Sequence, residues 1–396
     1  MSHSVPYWRL SAFYGCFFAV LGGLAPYWGP YLADRGFSAA EIGQLIAILH
    51  ATKIVAPNVW GFIADRTGRR MAVVRLGALL ALVTFAGVLL GEGFWWLALV
   101  MALFSFFWNA ALPQFEANTM NHLGDGDHLY SRIRLWGSVG FMVTVVAFGE
   151  LIDRFGVAIL PGLMLFFFAG LWLSSMAAPE APAPARQRSG GAIGQVLRRP
   201  EVIGFFLACF LLKASHGPYY AFFSIHLEET GYSSSMIGVL WAVGVLAEIG
   251  LFLVMHRLMP RFSPRLLMAG AMGLSVVRWG LIGAVPGVLP LLLVAQALHA
   301  ASFGVYHAVA IALVNRYFVG ANQGRGQALY SSMTFGAGVA VGSLASGLLW
   351  DVVGGSATFY MAAVVAAVAG AVAMASLPGP TEQSGGADAA VAGRTL

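Results

Sequence analysis

The chain has 396 residues, of which 59% are hydrophobic and only 10% are charged. In a soluble domain about a quarter of the residues are charged, so this composition excludes a water-soluble globule and predicts a polytopic membrane protein. The net charge of +5 comes from basic residues in short loops between apolar runs, which indicates membrane topology rather than nucleic-acid binding. Cys16 and Cys209 both lie in apolar runs and say nothing about a disulfide-forming compartment.

Apolar runs that are long enough to span a bilayer, about 20 residues each, occur twelve times along the chain. The first six predicted spans are 9–32, 41–64, 72–91, 94–120, 130–152 and 156–177. The second six are 201–227, 235–256, 264–284, 288–317, 324–350 and 356–377. The predicted fold is therefore all-α, with twelve transmembrane helices in two six-helix bundles around a central cavity.

Composition also predicts the domain boundaries. Residues 1–178 form the N-terminal bundle and residues 201–378 the C-terminal bundle. Between them, residues 179–200 are rich in Pro, Ala, Gly and Arg, which is typical of a linker. Residues 379–396 are predicted to form a disordered tail.

The arginines are distributed unequally between the two predicted sides of the membrane. One side carries Arg66, Arg69, Arg70, Arg75, Arg132, Arg134, Arg198, Arg199, Arg257, Arg261, Arg265, Arg316 and Arg325. The opposite loops hold only Arg35 and Arg154. By the positive-inside rule, this bias predicts a multi-pass protein of the cell inner membrane with cytoplasmic N- and C-termini and a cytoplasmic linker.

The two halves repeat one segment. "YLADRGFSAAEIGQL" (31–45) returns as "HLEETGYSSSMIGVL" (226–240), with a constant offset of 195 residues. Matching positions include Gly36 with Gly231 and Ser38 with Ser233. Two parallel repeated halves are a recurrent plan of secondary transporters, whose site lies between the halves near the membrane midplane.

The loop after the second span, "GFIADRTGRR" (61–70), resembles the signature Gly-x-x-x-Asp-Arg-x-Gly-Arg-Arg of the major facilitator superfamily. The resemblance implies that this loop acts as a cytoplasmic latch on alternating access. The gating residues would then be Gly61, Asp65, Arg66, Gly68, Arg69 and Arg70. A simpler alternative is that the arginines only anchor the topology.

Four further segments resemble the branch of this superfamily that contains phenylpropionate permeases and, more distantly, lactose permease, all proton symporters. They are "NAALPQFEA" (109–117), "RIRLWGSVGF" (132–141), "SVVRWG" (275–280) and "ALHAASFGVYHA" (297–308). The resemblance implies a substrate-binding pair of Glu116 and Arg134, and it puts His299 in the histidine position of the family. Ser302 stands where lactose permease has a proton-handling glutamate, so a sugar substrate and proton coupling at this helix are less expected.

Ionisable residues lie deep inside the predicted spans, where each costs about 2.5–3.5 kcal/mol at a helix centre. They are Lys53, Glu116, Arg134, Lys213, Glu248 and Arg278. Glu248 lies 195 residues after Lys53, so equivalent positions of the two halves carry opposite charges. We predict that Glu248 carries the proton, that Arg278 or Arg134 is the cation that switches it, and that Glu116 lies on the substrate side. Lys53 and His299 complete the predicted proton-coupling set.

Alternatives remain for single residues. Lys53 could pair with an acid only to hold helices together, and Arg278 could extend to the membrane interface.

The predicted cavity suits an anion with an aromatic ring, because four intramembrane cations face two carboxylates. The aromatic residues predicted to hold the ring are Tyr27, Trp28, Tyr219 and Tyr306, and Lys213 is assigned to the same substrate site. The predicted function is proton-coupled import of a small aromatic carboxylate. A proton symporter for a sugar or a nucleoside, whose rings also stack on aromatic side chains, and a drug efflux pump remain alternatives.

No sequence motif supports an enzyme or a cofactor-binding or metal-binding protein. The sequence has no His-Glu-x-x-His, no Gly-x-Ser-x-Gly and no glycine-rich nucleotide loop, so no enzyme, cofactor or metal is predicted. The predicted partners are a small-molecule substrate, a proton and the lipid bilayer, and the protein is predicted to be a monomer.

Overall fold

The computed structural model describes residues 5–124, 128–182 and 193–379, and these residues contain α-helices and no strand. Eleven of their continuous helical stretches are long and apolar enough to cross a membrane. The last stretch, Gln323–Ser376, is interrupted at Gly354, whose φ of 82° and ψ of 166° are not helical. It therefore consists of two helices, and the prediction of an all-α protein with twelve spans is confirmed.

We label the twelve helices α1 to α12 in chain order. They are Tyr7–Asp34, Ala39–Thr67, Arg70–Leu89, Phe94–Leu123, His128–Phe155, Val157–Ala177, Pro200–Glu229, Ser234–Leu258, Pro264–Ala284, Leu289–Tyr317, 323–353 and 355–376. Two of them contain a π-helical turn, Ala300–Val305 in α10 and Ser332–Gly338 in α11. A short additional helix, Ile193–Leu197, precedes α7.

The repeated segment forms the same local structure in both halves. Gly36 and Gly231 adopt positive φ values of 83° and 96° at the turns that follow α1 and α7. Only glycine enters this region without strain, so the chain can reverse there. Ser38 then caps α2 by accepting a hydrogen bond from the backbone N–H of Glu41, and Ser233 caps α8 in the same way.

The two ends of the helix assembly differ in charge. We call the end at which α1 stops and α2 starts the acidic end, because it carries Asp34, Glu92, Asp153, Glu228, Glu229 and Asp351. The opposite end, at which α2 stops and α3 starts, carries Arg66, Arg69, Arg70, Arg199 and Arg316, and we call it the basic end.

Helices of the first six pack mainly on one another, and so do those of the second six. The two groups meet through α1 with α7, α2 with α11 and α5 with α8. Small residues permit these contacts, since a Cβ on Gly43 of α2 would lie 2.8 Å from Gly347 of α11. Gly43 lies in the second turn of α2, near the acidic end. The halves are therefore joined at the acidic end.

The predicted domain boundaries stay a prediction. Within the proposed linker, residues 179–182 and 193–200 are described, whereas 183–192 lie outside the described residues, as do 380–396 of the proposed tail. The start of the linker is held against the first bundle, because Asn118 of α4 bonds both Pro179 O (3.0 Å) and the backbone N–H of Ala181 (2.8 Å).

Candidate functional site

A cavity of about 920 Å³ lies between the two halves. This volume is in the range of small-molecule sites. Residues of both halves contribute to its wall. At the basic end, the cavity reaches Ser131 and Arg132 in the first turn of α5 and Leu253 in α8. The cavity is thus open toward the basic end and closed toward the acidic end.

The cavity wall is aromatic and basic. The aromatic rings belong to Phe18, Trp28, Tyr130, Phe141, Tyr219, Tyr220, Trp241, Phe252, Phe303 and Phe335. The basic side chains are His50, Lys53, Arg132, Arg134, His299 and His307. Among the described lining residues, Glu248 supplies the only carboxylate. Such a wall favours a solute that combines a flat ring with negative charge.

Arg134 lines this cavity and lies beside Glu116, which is not one of the lining residues. Arg134 Nε is 3.7 Å from Glu116 Oε1, and the hydroxyl of Tyr130 donates to the same oxygen at 3.4 Å. The Arg134 guanidinium also lies 4.0 Å from the centre of the Phe18 ring, and it lines the cavity. Glu116 is therefore tolerated inside α4 because a cation and a phenol compensate its charge. Its role in substrate binding stays a prediction.

The other polar residues of the same α4 segment connect helices. Asn109 donates to the Thr52 hydroxyl of α2 at 2.9 Å, and Gln114 accepts from Arg70 at 2.9 Å. These bonds fix α4 to α2 and to the first residue of α3.

Glu248 of α8 faces His299 of α10 on the wall formed by the second half. Their Oε2 and Nε2 atoms are 3.5 Å apart, and both side chains line the cavity. The His299 ring lies parallel to Phe303 at 5.4 Å and to Tyr219 at 6.1 Å between ring centres. Gly304, inside the π-helical turn of α10, permits the approach of α8, because a Cβ there would lie 2.8 Å from Leu251 Cδ2 and 3.4 Å from Glu248 Cγ. The structure thus brings together two residues of the predicted proton-coupling set.

Arg278 lies behind this wall rather than on it. Its side chain is fully buried and donates to Ala295 O (3.1 Å), Ser302 Oγ (3.1 Å) and Gln296 Oε1 (3.2 Å). Among the described residues no carboxylate forms an ion pair with Arg278. Arg134 pairs with Glu116, so neither of the two predicted switching cations contacts Glu248. The cation beside Glu248 in this conformation would be a protonated His299, and Arg278 does not extend to the membrane interface.

Besides Glu116, three residues predicted to bind substrate do not line the cavity. Lys213 and Tyr306 are fully buried, and Lys213 Nζ lies 4.3 Å from the centre of the Phe303 ring, which does line the cavity. Tyr27 is also buried, and its hydroxyl donates to Val145 O and to Ser234 O (3.2 Å) where α5 meets α8. Tyr27 therefore helps to close the acidic end. Trp28 and Tyr219, which share the same prediction, do line the cavity.

The predicted gating motif forms a compact turn at the basic end. Gly68 ends α2 in the left-handed conformation with φ of 66°, and Arg70 donates to Asp65 at 2.8 Å. Arg66 and Arg69 are exposed, and a Cβ on Gly61 would lie 3.5 Å from Gln114 Nε2. Within the described part of the chain, the hydrogen-bond and ion-pair partners of the motif belong to the first half, which agrees with a basic end at which the halves are apart.

Sequence reasoning missed His50, Tyr130 and Trp241, which all line the cavity. His50 could have been found, because it lies three residues before Lys53 and so shares its helix face. Its Nδ1 lies 3.2 Å from Phe335 O of α11. Trp241 shows no such signal, and its indole N–H donates to Ser224 at 3.1 Å.

Twelve apolar helices in two similar groups, closed together at one end around a cavity of solute size, define a secondary active transporter rather than an enzyme. The profile of the family described as MFS_1 like matches residues 7–361. The chain belongs to this family of membrane transporters.

Individual relatives agree with this assignment. A protein described as "Probable 3-phenylpropionic acid transporter" from Escherichia coli (strain K12) is 31% identical over 371 residues, which are 90% of this chain and 94% of that protein. The maltose permease of Geobacillus stearothermophilus is 28% identical over 350 residues, 86% of each chain. The crystal structure of a point mutant of the nucleoside transporter NupG matches with a TM-score of 0.83 and 16% identity, covering 94% of this chain and all of that one. This last likeness concerns the fold alone.

Proposed function

We propose that the protein imports a small aromatic carboxylate together with a proton by alternating access, as a monomer in the cell inner membrane. The observation that carries the proposal is the cavity wall, which combines aromatic rings with basic side chains and a single carboxylate, Glu248, among the described lining residues. One relative is described as a "Probable 3-phenylpropionic acid transporter", which points to the same chemistry.

The ring of such a solute would be held between aromatic side chains of both halves. Tyr219 and Trp241 have ring centres 4.5 Å apart, and Trp28 lines the same cavity from the first half. Aromatic walls also stack on sugars and bases, and a maltose permease is among the relatives. The surplus of basic groups favours an acid over a neutral sugar or nucleoside, because a neutral solute would leave that charge uncompensated.

The pair of Glu248 and His299 supports proton coupling. At 3.5 Å the carboxylate and the imidazole can share or exchange a proton, and both are open to the cavity. One proton carried with one carboxylate moves no net charge across the membrane, so the membrane potential would neither drive nor oppose that step. Ser302 is not an acid and accepts a hydrogen bond from Arg278, and Glu248 is the one carboxylate among the described lining residues, so Glu248 is assigned this role.

The orientation of the protein in the membrane is inferred from the distribution of charge. Arginines gather at the basic end, which the positive-inside rule assigns to the cytoplasm together with both termini. The cavity opens toward this end. The conformation described here is then the one from which solute reaches the cytoplasm.

Purified protein in liposomes provides the test. A pH gradient of one unit, acidic outside, should accumulate 3-phenylpropionate by up to about tenfold if one proton moves with each acid. Glu248→Gln should abolish this accumulation and retain exchange of labelled for unlabelled solute at equal pH. Glu92→Gln is the matched control, because Glu92 is exposed at the acidic end and its side chain pairs with Arg35.

Accumulation that does not depend on the pH gradient would refute proton coupling. Loss of accumulation and exchange together in Glu248→Gln would show that Glu248 supports the structure rather than carries the proton. Preferential uptake of maltose or a nucleoside over the aryl acid would favour the alternative substrates.

A further inference from the structure

The basic residues of the cavity differ in whether their charge is already compensated. Arg134 has Glu116 at 3.7 Å, and Arg132 is exposed at the mouth of the cavity. Lys53 lines the cavity from α2, and among the described residues no acceptor lies within hydrogen-bonding or ion-pairing distance of its ammonium group. It is the half-buried cation of the cavity that lacks a partner.

The position of Lys53 makes this lack of a partner informative. It is the middle residue of α2, which runs from Ala39 to Thr67, and it therefore lies near the membrane midplane. A charged side chain at that depth is costly and normally faces an opposite charge or a polar ligand. Since none of the described residues supplies a carboxylate to Lys53, an anionic group of the solute can compensate this charge.

The opposite half supports this assignment. Glu248 occupies the position of the repeat that is equivalent to Lys53, 195 residues later, and both side chains line the cavity. They form no ion pair with each other, whereas Glu248 lies beside His299. The two halves thus present an unpaired cation and a carboxylate–imidazole pair on different walls, so an anion site and a proton site can be separate.

We propose that Lys53 binds the carboxylate of the substrate and that Arg134, which Glu116 already neutralises, does not supply this contact. The inference rests on the proposed function and deepens it, because it assigns the acid group of the solute to the α2 wall. Around Lys53 the wall is aromatic, with Tyr220 in ring contact with His50 at 5.9 Å. A monoanionic aryl acid then places its charge at α2 and its ring among the aromatic side chains.

Isothermal titration of the purified protein tests the assignment with two probes, 3-phenylpropionate and its neutral amide. The wild type should bind the acid at least about tenfold more tightly than the amide, since a hydrogen bond between charged groups contributes roughly 1.5–3 kcal/mol. Lys53→Gln should lose this preference and bind the amide within about twofold of the wild type, which also shows that the variant is folded. Lys53→Arg should retain most of the preference.

Arg134→Gln is the comparison, and it should still prefer the acid over the amide. An undiminished preference for the acid in Lys53→Gln would overturn the assignment of the anchor, and so would an equal loss of affinity for acid and amide. Absence of binding of either probe to the wild type would instead overturn the proposed function, and the anchor with it.

Discussion

The closure of the acidic end can be tested at Gly238, which lies in the second turn of α8. A Cβ at this position would lie 2.5 Å from the Tyr27 hydroxyl and still closer to the carbonyl oxygen of Val145, whereas ordinary contact begins near 3.4 Å. Gly238→Ala therefore requires α8 to move away from α5 and α1 by about 1 Å. The movement also disturbs the hydrogen bonds that Tyr27 donates to Val145 O and Ser234 O.

The magnitude follows from the cost of overpacking. Inserting a methyl group into a close contact costs typically about 1–3 kcal/mol. The cost falls on the conformation in which the acidic end is closed, because the halves separate there in the opposite conformation of an alternating-access cycle. The ratio of the two conformations should then shift by roughly fivefold to a hundredfold toward the one that is open at the acidic end.

Labelling with a membrane-impermeant maleimide reports this shift. Ala25 of α1 lines the cavity, so Ala25→Cys in a protein whose Cys16 and Cys209 are replaced by serine provides the target thiol. Added on the side of the acidic end, the reagent should label this thiol at least about fivefold faster in Gly238→Ala than in the parent.

Gly250→Ala serves as the control, because Gly250 lies in the same helix and nothing would lie within 4 Å of its Cβ. It should leave the labelling rate unchanged. Equal rates in Gly238→Ala and the parent would refute the reasoning that this glycine contact closes the acidic end.

Three further substitutions have defined outcomes. Tyr27→Phe removes the hydroxyl that joins α1 to α5 and α8, so the same maleimide assay should show faster labelling, by roughly fivefold for a net loss of about 1 kcal/mol. Ser38→Ala removes the cap on the Glu41 N–H, so calorimetry should show a stability lower by about 1 kcal/mol with unchanged substrate affinity. Asp65→Asn removes the ion pair with Arg70 at 2.8 Å, so stopped-flow exchange should become slower while the affinity measured by titration stays constant. A lower affinity in Asp65→Asn would contradict the location of the motif outside the cavity.

The architecture could be predicted because each part of it depends on local sequence. Apolar runs must be helical in lipid, where every backbone group needs an internal hydrogen bond. The repeated Gly-x-Ser segments, with Ser38 and Ser233 as caps, fix the starts of α2 and α8. Even the tight connection between α11 and α12 had a signal, because the predicted spans stop at 350 and resume at 356, around Gly354.

The composition of the cavity wall was harder to predict, because it depends on the rotation of each helix. Lys213 and Arg278 are both intramembrane cations, yet both are fully buried behind rings that line the cavity. The π-helical turns Ala300–Val305 and Ser332–Gly338 change which side chains of α10 and α11 face the cavity. No sequence pattern predicted these turns. Ser302 illustrates the consequence, because it stands in place of an acid and serves as an acceptor for Arg278.

The repeat also explains how closure and chemistry are separated along the helices. Gly43 of α2 contacts α11 and Gly238 of α8 contacts α5, so equivalent glycines close the acidic end from both halves. Lys53 and Glu248 follow these glycines by ten residues in each half, which at 1.5 Å per residue is about 15 Å further along the helix. Closure is therefore nearly symmetric, whereas the charges presented to the cavity are opposite. A symmetric seal lets the halves rock about a fixed centre, and unequal charges at that centre allow an anion and a proton to occupy different walls.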